Sequence, residues 1–455
     1  MEEGNKQLHV VMVPWLAYGH INPFLQLAKN LESNGVRTSF VSTPLNITRI
    51  KQQIISAGID LVELPLPSVE DLPNGVESTA DLKRGGTFPL LMKAMDGWEK
   101  PFEALLLRLS PDLVIHDMTQ YWAPRITAAL GIPTIYFHIS SAASLGFVVG
   151  QQAAAREKSI TVQDLTVSPT GFPGSLIHSS PFQARRELPL YEKGGEHISV
   201  LERSSMCIQG SWLTIFNTCL DLEGAYLEYL QRITGRPMLP VGILMPTILP
   251  RPAAERSLAW LDRQAPRSVV FVSFGSESTL TSEELGELAL GLEDSQVSFL
   301  CVLLRDMAAG LPQGFASRTE GKGKGLLVTE WAPQLHILSH SSTGVFLTQC
   351  GWNSVTEGLR FGVPLVALPM QYEQFLNAKL IAQELKVGVE VKRNKEDGSF
   401  TKEDICKAVR SVMVQEEGRQ IRSNVEDISC VFTRQTYEKN IDNFISLLKE
   451  KASYK

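Results

Sequence analysis

A chain of 455 residues is too long for one ordinary hydrophobic core, so two or three domains are expected. At 44% hydrophobic and 20% charged residues, the composition is that of a globular protein in water. The 43 basic and 49 acidic residues leave a net charge of −6, which argues against nucleic acid or an anionic membrane surface as the main partner.

Leu8 to Pro14 is a short apolar strand, followed by a turn from Ala17 to Pro23 and a helical pattern from Phe24 to Asn34 that Gly35 ends. Thr38 to Ser42 completes a β-α-β unit, which takes ligands at the carboxyl ends of its strands. Ile59 to Leu64 reads as a third strand, Pro65 to Gly86 as a polar connection, and Phe88 to Leu109 as a helical period broken by Pro101. Leu113 to Ile115 is a buried strand running into His116-Asp117. A helix from Ala123 to Leu130 and a strand from Thr134 to Phe137 lead to His138. Residues 151–200 are weakly periodic, carry Pro169, Pro173, Pro181 and Pro189, and read as a mobile region. Leu213 to Asn217 is a strand and Leu222 to Ile233 a helix.

The segment from Pro237 to Ser257, with Pro240, Pro246, Pro250 and Pro252, is the best linker candidate. A second alternation follows it: strands at Val269–Phe274, Phe299–Leu304, Leu326–Thr329, Val345–Leu347, Leu365–Leu368 and Val387–Val391, with helices between. Three polar-faced helices from Lys402 close the chain. The pattern predicts an α/β protein of two doubly wound, Rossmann-like domains facing a cleft. Their expected bounds are 1–240 and 241–434, with a last helix over 435–455 packing back on the first domain.

The six cysteines form no C-x-x-C pair, so they read as core thiols of a reducing compartment rather than a zinc or redox site. The opening MEEGNKQ does not read as a signal peptide, and no apolar run reaches the length of a membrane span. A cytoplasmic monomer with no stable membrane insertion is the expectation.

His20 and Asp117 each sit at the carboxyl end of a strand in the first alternation, so they can meet in one crevice. A carboxylate on one imidazole nitrogen fixes the tautomer and stabilises the imidazolium, which suits a general base. His116 should face the opposite side of its strand, and His138, which follows a strand end, is an open candidate for lining a ligand pocket. His336 and His340 have i, i+4 spacing but no third ligand, and no Asp-x-Asp pair appears, so no metal is expected. Gly321 to Gly325 precedes a strand rather than a helix and reads as a surface turn. Gly351-Trp352-Asn353-Ser354 lies at a strand-to-helix junction, where backbone N–H groups and the helix end suit a phosphate.

The stretch from Trp331 to Gln374, WAPQLHILSHSSTGVFLTQCGWNSVTEGLRFGVPLVALPMQYEQ, resembles the signature box of plant UDP-sugar-dependent glycosyltransferases of family 1. The resemblance implies a GT-B fold, with acceptor binding in the first domain and UDP-sugar binding in the second. It implies His20 as base and Asp117 as its partner. Trp331, with Ala332, would stack on uracil; Gln334 and Glu357 would hold the ribose. Ser276, Gln349, Gly351, Asn353 and Ser354 would hold the diphosphate, and Trp352, Glu373 and Gln374 the sugar. The implied reaction is metal-independent transfer with inversion from a UDP-sugar, a co-substrate rather than a bound cofactor, to a small-molecule hydroxyl.

Two positions depart from the family pattern: Gln349 stands in place of His, and Glu373 in place of Asp. Gln349 leaves open a catalytically weak or non-catalytic UDP-sugar binder. Gln374 is associated with glucose donors, so UDP-glucose is the first choice, with rhamnose, xylose and galactose open. Pro14 to His20, Glu77-Ser78-Thr79 and Asp397-Gly398-Ser399-Phe400 look like the branch-forming subgroup, which adds a sugar to a flavonoid or terpenoid glycoside. A nicotinamide-dependent oxidoreductase is disfavoured because no glycine-rich fingerprint follows the first strand.

Overall fold

The computed structural model describes residues 7–54, 58–82, 88–155, 158–191, 198–244, 246, 248, 250, 255–275, 278–303, 305–321, 323–432 and 434–453. The chain divides into two units. Unit 1 comprises residues 1–153, 190–246 and 434–455; unit 2 comprises 154–189 and 247–433. Residues 154–189, which the sequence reading leaves in the first domain, therefore group with the second.

Unit 1 is built on seven parallel strands: β1 (His9–Val13), β2 (Arg37–Ser42), β3 (Ile59–Glu63), β4 (Leu113–His116), β5 (Thr134–His138), β6 (Leu213–Phe216) and β7 (Met238–Pro240). Their spatial order is β3-β2-β1-β4-β5-β6-β7, so the strand order reverses between β1 and β4. Strand alternation sends Val10 and Met12 to one apolar layer, Val11 and Val13 to the other. The first layer also receives Ile441, Phe444, Ile445 and Leu448 from the Arg434–Ser453 helix. Burying such side chains stabilises by roughly 1.5–3 kcal/mol each. The second layer is rich in aromatics, with Trp15, Trp98, Phe102 and Trp122 all nearly inaccessible.

Unit 2 repeats the plan with six parallel strands: β8 (Val269–Ser273), β9 (Ser298–Val302), β10 (Gly325–Val328), β11 (Thr343–Thr348), β12 (Leu365–Ala367) and β13 (Gly388–Glu390), ordered β10-β9-β8-β11-β12-β13. Here the reversal falls between β8 and β11. Ligands bind outside the carboxyl ends of strands at such switch points.

Several elements differ from the sequence reading. The first helix begins at Tyr18 and carries Pro23 inside it, so His20 belongs to its first turn rather than to a preceding loop. Pro23 forfeits one backbone bond, which burial of Ile21, Phe24 and Leu25 offsets. The helical period over 88–109 breaks at Gly97-Trp98 instead of at Pro101, giving helices Phe88–Asp96 and Glu99–Leu109. Pro101 then lies in a first turn, where its missing N–H has no partner to lose. Residues 151–200 are not uniformly irregular: they contain helical segments Val162–Leu165 and Pro181–Glu187, each opened by a capping box.

Candidate active site

In unit 1 the switch point holds His20 and Asp117. The His20 Nδ1 lies 2.7 Å from Asp117 Oδ2. Asp117 is 1% exposed. Its Oδ2 also accepts from the Trp15 backbone N–H at 3.1 Å, and its Oδ1 from Met118 N–H at 2.6 Å. Burial pushes the carboxyl up, but the His20 ring and the backbone donors outweigh it and hold Asp117 below the usual carboxylate range. Asp117 is thus a buried anion with three donors around it. Gln120 fixes the turn from behind: its Oε1 accepts from Asp117 N–H at 3.0 Å and its Nε2 donates to the Pro14 carbonyl at 3.3 Å. Sequence reasoning passed over Gln120, although Asp-x-x-Gln after a strand is a legible capping pattern.

The other histidines separate cleanly. His116 is inaccessible, with Nδ1 on the Asp117 carbonyl at 2.9 Å and Nε2 on Ser211 Oγ at 3.0 Å. Burial pushes it down to about 4, so it is a neutral structural group. His138 bonds Tyr136 Oη through Nδ1 at 2.9 Å, and burial takes it to about 4 as well, with Asp117 and His20 in electrostatic reach. Its Nε2 is buried without a partner among the described residues. His340 pairs with Asp262 at 3.1 Å. No cluster of three or more His, Cys, Asp or Glu able to hold a metal occurs among the described residues.

In unit 2 the candidate residues gather at the carboxyl ends of β8, β11 and β12. Gln349 directly follows β11, is 8% exposed, and accepts from Thr348 Oγ1 at 3.0 Å through its Oε1. A Cβ on Gly275, at the end of β8, would stand 2.7 Å from Gln349 Nε2, and one on Gly351 3.4 Å from it. The Gln349 amide therefore lies across both glycines at the switch point, and Gly275 at φ +67° also needs the left-handed region open to glycine. Cys350 adopts φ +67° without being glycine, and Asn377 Nδ2 holds its carbonyl at 2.9 Å. Neither support had a sequence signal. Gly351 then caps the Trp352–Arg360 helix, with Trp352 buried and Asn353 and Ser354 half-buried on its first turn. First-turn N–H groups have no partner within a helix and carry its positive end.

Gln334 Nε2 donates to Glu357 Oε2 at 2.7 Å. Enclosure of the Glu357 carboxyl pushes it up to about 7, against the smaller opposing effects of Gln334 and Arg360. Trp331 is 79% exposed beside half-buried Ala332. A large aromatic left so bare does nothing for the core. Gln374 is 7% exposed, and its Oε1 accepts from both Met370 and Gln371 N–H at 3.1 Å. That bond pair fixes a turn in which Tyr372 has φ +55° and leaves the Gln374 amide nitrogen as a donor. Glu373 is half-buried at the start of the Gln374–Lys379 helix. Ser276 lies outside the described residues.

A family model described as "UDP-glucoronosyl and UDP-glucosyl transferase" matches residues 241–439, and one described as "Glycosyltransferase, N-terminal domain" matches residues 6–178. UDP-glycosyltransferase 91D1 of Stevia rebaudiana is 38% identical, over 99% of this chain and 94% of the relative. Anthocyanidin-3-O-glucoside rhamnosyltransferase of Petunia hybrida is 36% identical, over 93% and 92% respectively. Among solved structures, UGT73P12 of Glycyrrhiza uralensis, complexed with glycyrrhetinic acid 3-O-monoglucuronide, superposes with a TM-score of 0.85 at 26% identity, covering 99% of this chain and 97% of that one. UGT2 of Phytolacca americana, complexed with UDP-2fluoro-glucose and pterostilbene, gives 0.81 at 29% identity, covering 98% and 100%. With its two switch-point sheets and these relatives along its whole length, the chain belongs to the plant family 1 UDP-sugar-dependent glycosyltransferases and has their GT-B fold.

Proposed function

We propose that this enzyme transfers glucose from UDP-glucose, with inversion at the anomeric carbon, to a hydroxyl of a flavonoid or terpenoid, most readily one already carrying a sugar. The observation that carries the mechanism is the 2.7 Å contact between His20 Nδ1 and buried Asp117. An anionic Asp117 keeps the ring proton on Nδ1, so Nε2 presents a lone pair to the acceptor hydroxyl. As that oxygen attacks, His20 takes its proton and Asp117 stabilises the resulting imidazolium. UDP departs from the opposite face of the sugar ring, which inverts the configuration.

Unit 2 takes the nucleotide in this reading. Trp331 stacks on uracil, with Ala332 beside it, and Glu357 and Gln334 receive the ribose. Gln349, Gly351, Asn353, Ser354 and Ser276 meet the charge that grows on the leaving diphosphate. Trp352, Glu373 and Gln374 hold the sugar. Glucose as donor rests on Gln374; a glycoside acceptor rests on the 397–400 motif and on relatives named as acting on an anthocyanidin 3-O-glucoside and on soyasaponin III.

The test is a product screen crossing UDP-glucose, UDP-rhamnose, UDP-xylose and UDP-galactose with flavonoid and terpenoid aglycones and monoglycosides, beside His20→Ala. The expected result is glucosylation of monoglycosides, lost in the variant. A preference for another donor would overturn the glucose assignment. Substantial transfer by His20→Ala would overturn the base.

A further inference from the structure

Strand β11 ends on Thr348, which pairs with Ser273 of β8 on one side and Ala367 of β12 on the other and is inaccessible to water. A β-branched residue suits the end of a buried strand, but that place asks nothing of its hydroxyl. The hydroxyl is nevertheless engaged twice, by the next two residues. It accepts from the Cys350 N–H at 3.3 Å and donates to Gln349 Oε1 at 3.0 Å. Cys350 turns through φ +67°, a left-handed conformation that a residue with a Cβ keeps only where its surroundings hold it. Thr348 holds its N–H, and Asn377 Nδ2 holds its carbonyl at 2.9 Å, so its backbone is pinned on both sides.

A glutamine amide has two ends of nearly the same shape and opposite character: an oxygen that only accepts, and an NH2 group that only donates. Where such an amide faces an anion, the end that points outward decides between attraction and repulsion. Cys350 already donates to the Thr348 hydroxyl, so what the hydroxyl offers Gln349 is its single proton, and a proton selects the amide oxygen. Nε2 is thereby sent to the other side. A Cβ on Gly275 would stand 2.7 Å from that nitrogen and one on Gly351 3.4 Å, so Nε2 lies over two positions that carry no side chain. Gly351 caps the Trp352–Arg360 helix, whose first-turn N–H groups point the same way as its positive end. Gln349 keeps 8% of its surface exposed there.

We propose that Thr348 is a positioning residue of the diphosphate site: by accepting from Cys350 N–H and donating to Gln349 Oε1, its hydroxyl turns the Gln349 amide so that a donor rather than an oxygen meets the anion. Without the hydroxyl the amide has no reason to prefer one face, and half of its orientations present oxygen to a phosphate. The inference rests on reading Gln349 as a diphosphate-binding residue.

Calorimetric titration of the full-length protein with UDP and with uridine tests it without an acceptor. Thr348→Val keeps the shape and removes the hydroxyl. It should weaken UDP by at least about tenfold, the low end for a hydrogen bond to a charged group, and leave uridine within about twofold. Thr348→Ser, which restores the hydroxyl, should stay within about threefold of wild type for both. In a Gln349→Ala background there is no amide to turn, so adding Thr348→Val should cost UDP no more than about a further threefold. Equal loss of UDP and uridine, loss of neither, or failure of serine to rescue would overturn the proposal. So would a larger loss that persists without the Gln349 amide, which would assign the hydroxyl to the Cys350 backbone alone. Thr348→Ala gives the same readings if the valine variant does not fold. Gln349→Ala by itself separates the two levels of inference. If it leaves the advantage of UDP over uridine unchanged, Gln349 does not meet the diphosphate and the role of Thr348 falls with it; if it removes that advantage while Thr348→Val does not, only the role of Thr348 falls.

Discussion

Replacing Asp117 by Asn keeps the shape of the side chain and removes its charge, and the structure forces a choice on the amide. Oδ2 faces His20 Nδ1 and the Trp15 N–H; Oδ1 faces the Met118 N–H. If the amide oxygen stays toward Met118, its NH2 group confronts both the Trp15 N–H and the ring. His20 must then accept at Nδ1, which places its proton on Nε2, where the base should be. If the amide turns over, two N–H groups meet at Met118. Either orientation leaves a buried donor unsatisfied, a cost of about 1–3 kcal/mol, and forfeits a charge-assisted bond worth about 1.5–3 kcal/mol. The first shows as a lowered melting temperature, the second as a lost rate. With 1.4 kcal/mol per factor of ten, the bond alone predicts a fall in kcat/KM of about 10- to 150-fold, and the wrong tautomer adds to it. The assay is initial-rate transfer for wild type, Asp117→Asn, His20→Ala and the double variant. The double variant should be no slower than His20→Ala, because Asp117 acts through the ring. If Asp117→Asn keeps more than about a third of wild-type kcat/KM, or the two losses multiply in the double variant, the orienting role is refuted.

Gln349→His should bind UDP-glucose about 1 kcal/mol more tightly, because a ring that can carry charge replaces a neutral amide on the diphosphate; equal Kd values in calorimetry would sink this. Trp331→Ala should leave the melting temperature unchanged, since the ring is 79% exposed, while weakening UDP by about 1–3 kcal/mol if it stacks on the base. A stability loss without an affinity loss would show the ring to be structural. Glu357, raised to about 7, should lose its proton when ribose hydroxyls donate to it. UDP binding should therefore release protons between about pH 5 and 7, and affinity should rise with pH through that window and level off above it. The sign for folding is the reverse: a raised carboxyl stabilises the native state below its ordinary pKa, and that contribution is lost as pH rises through about 7. UDP titrations in buffers of different ionisation enthalpy read the proton count directly, and a count of zero at pH 6.5 would remove Glu357 from the ribose site.

Much of this was legible because parallel α/β sheets place chemistry at predictable points. Short apolar strands announce their carboxyl ends, and those of His9–Val13 and Leu113–His116 lie side by side, so that His20, in the helix turn beyond the first, meets Asp117 directly after the second. The start of the first helix was misread because Pro23 signals a break, whereas burial of its neighbours carries the helix through it. The grouping of residues 154–189 differs from the sequence reading for a different reason. Ser180-x-x-Gln183 is a local capping signal and could have been found, but the docking of Phe182 on Gly398 joins residues more than two hundred positions apart. No periodicity reports such a contact. Gly398 was noted only as part of a subgroup motif; its physical reason is the ring that rests on it.

The two sheets use buried carboxyls in opposite ways, and the difference follows from donor count rather than depth. Asp117 is enclosed but meets the Trp15 and Met118 N–H groups as well as His20, so it stays anionic. Among the described residues Glu357 meets a single amide, that of Gln334, and sits near neutrality. Among the described residues Glu187 meets a single hydroxyl, that of Ser179, and burial pushes it up to about 8. In unit 1 the protein itself completes the set of donors, as the proposed base would need in order to be ready before an acceptor arrives. In unit 2 neither carboxyl is given the set of donors that Asp117 has. On the proposed reading of His20 and Asp117 as a catalytic pair, the asymmetry is that of a preorganised base against carboxyls held near neutrality.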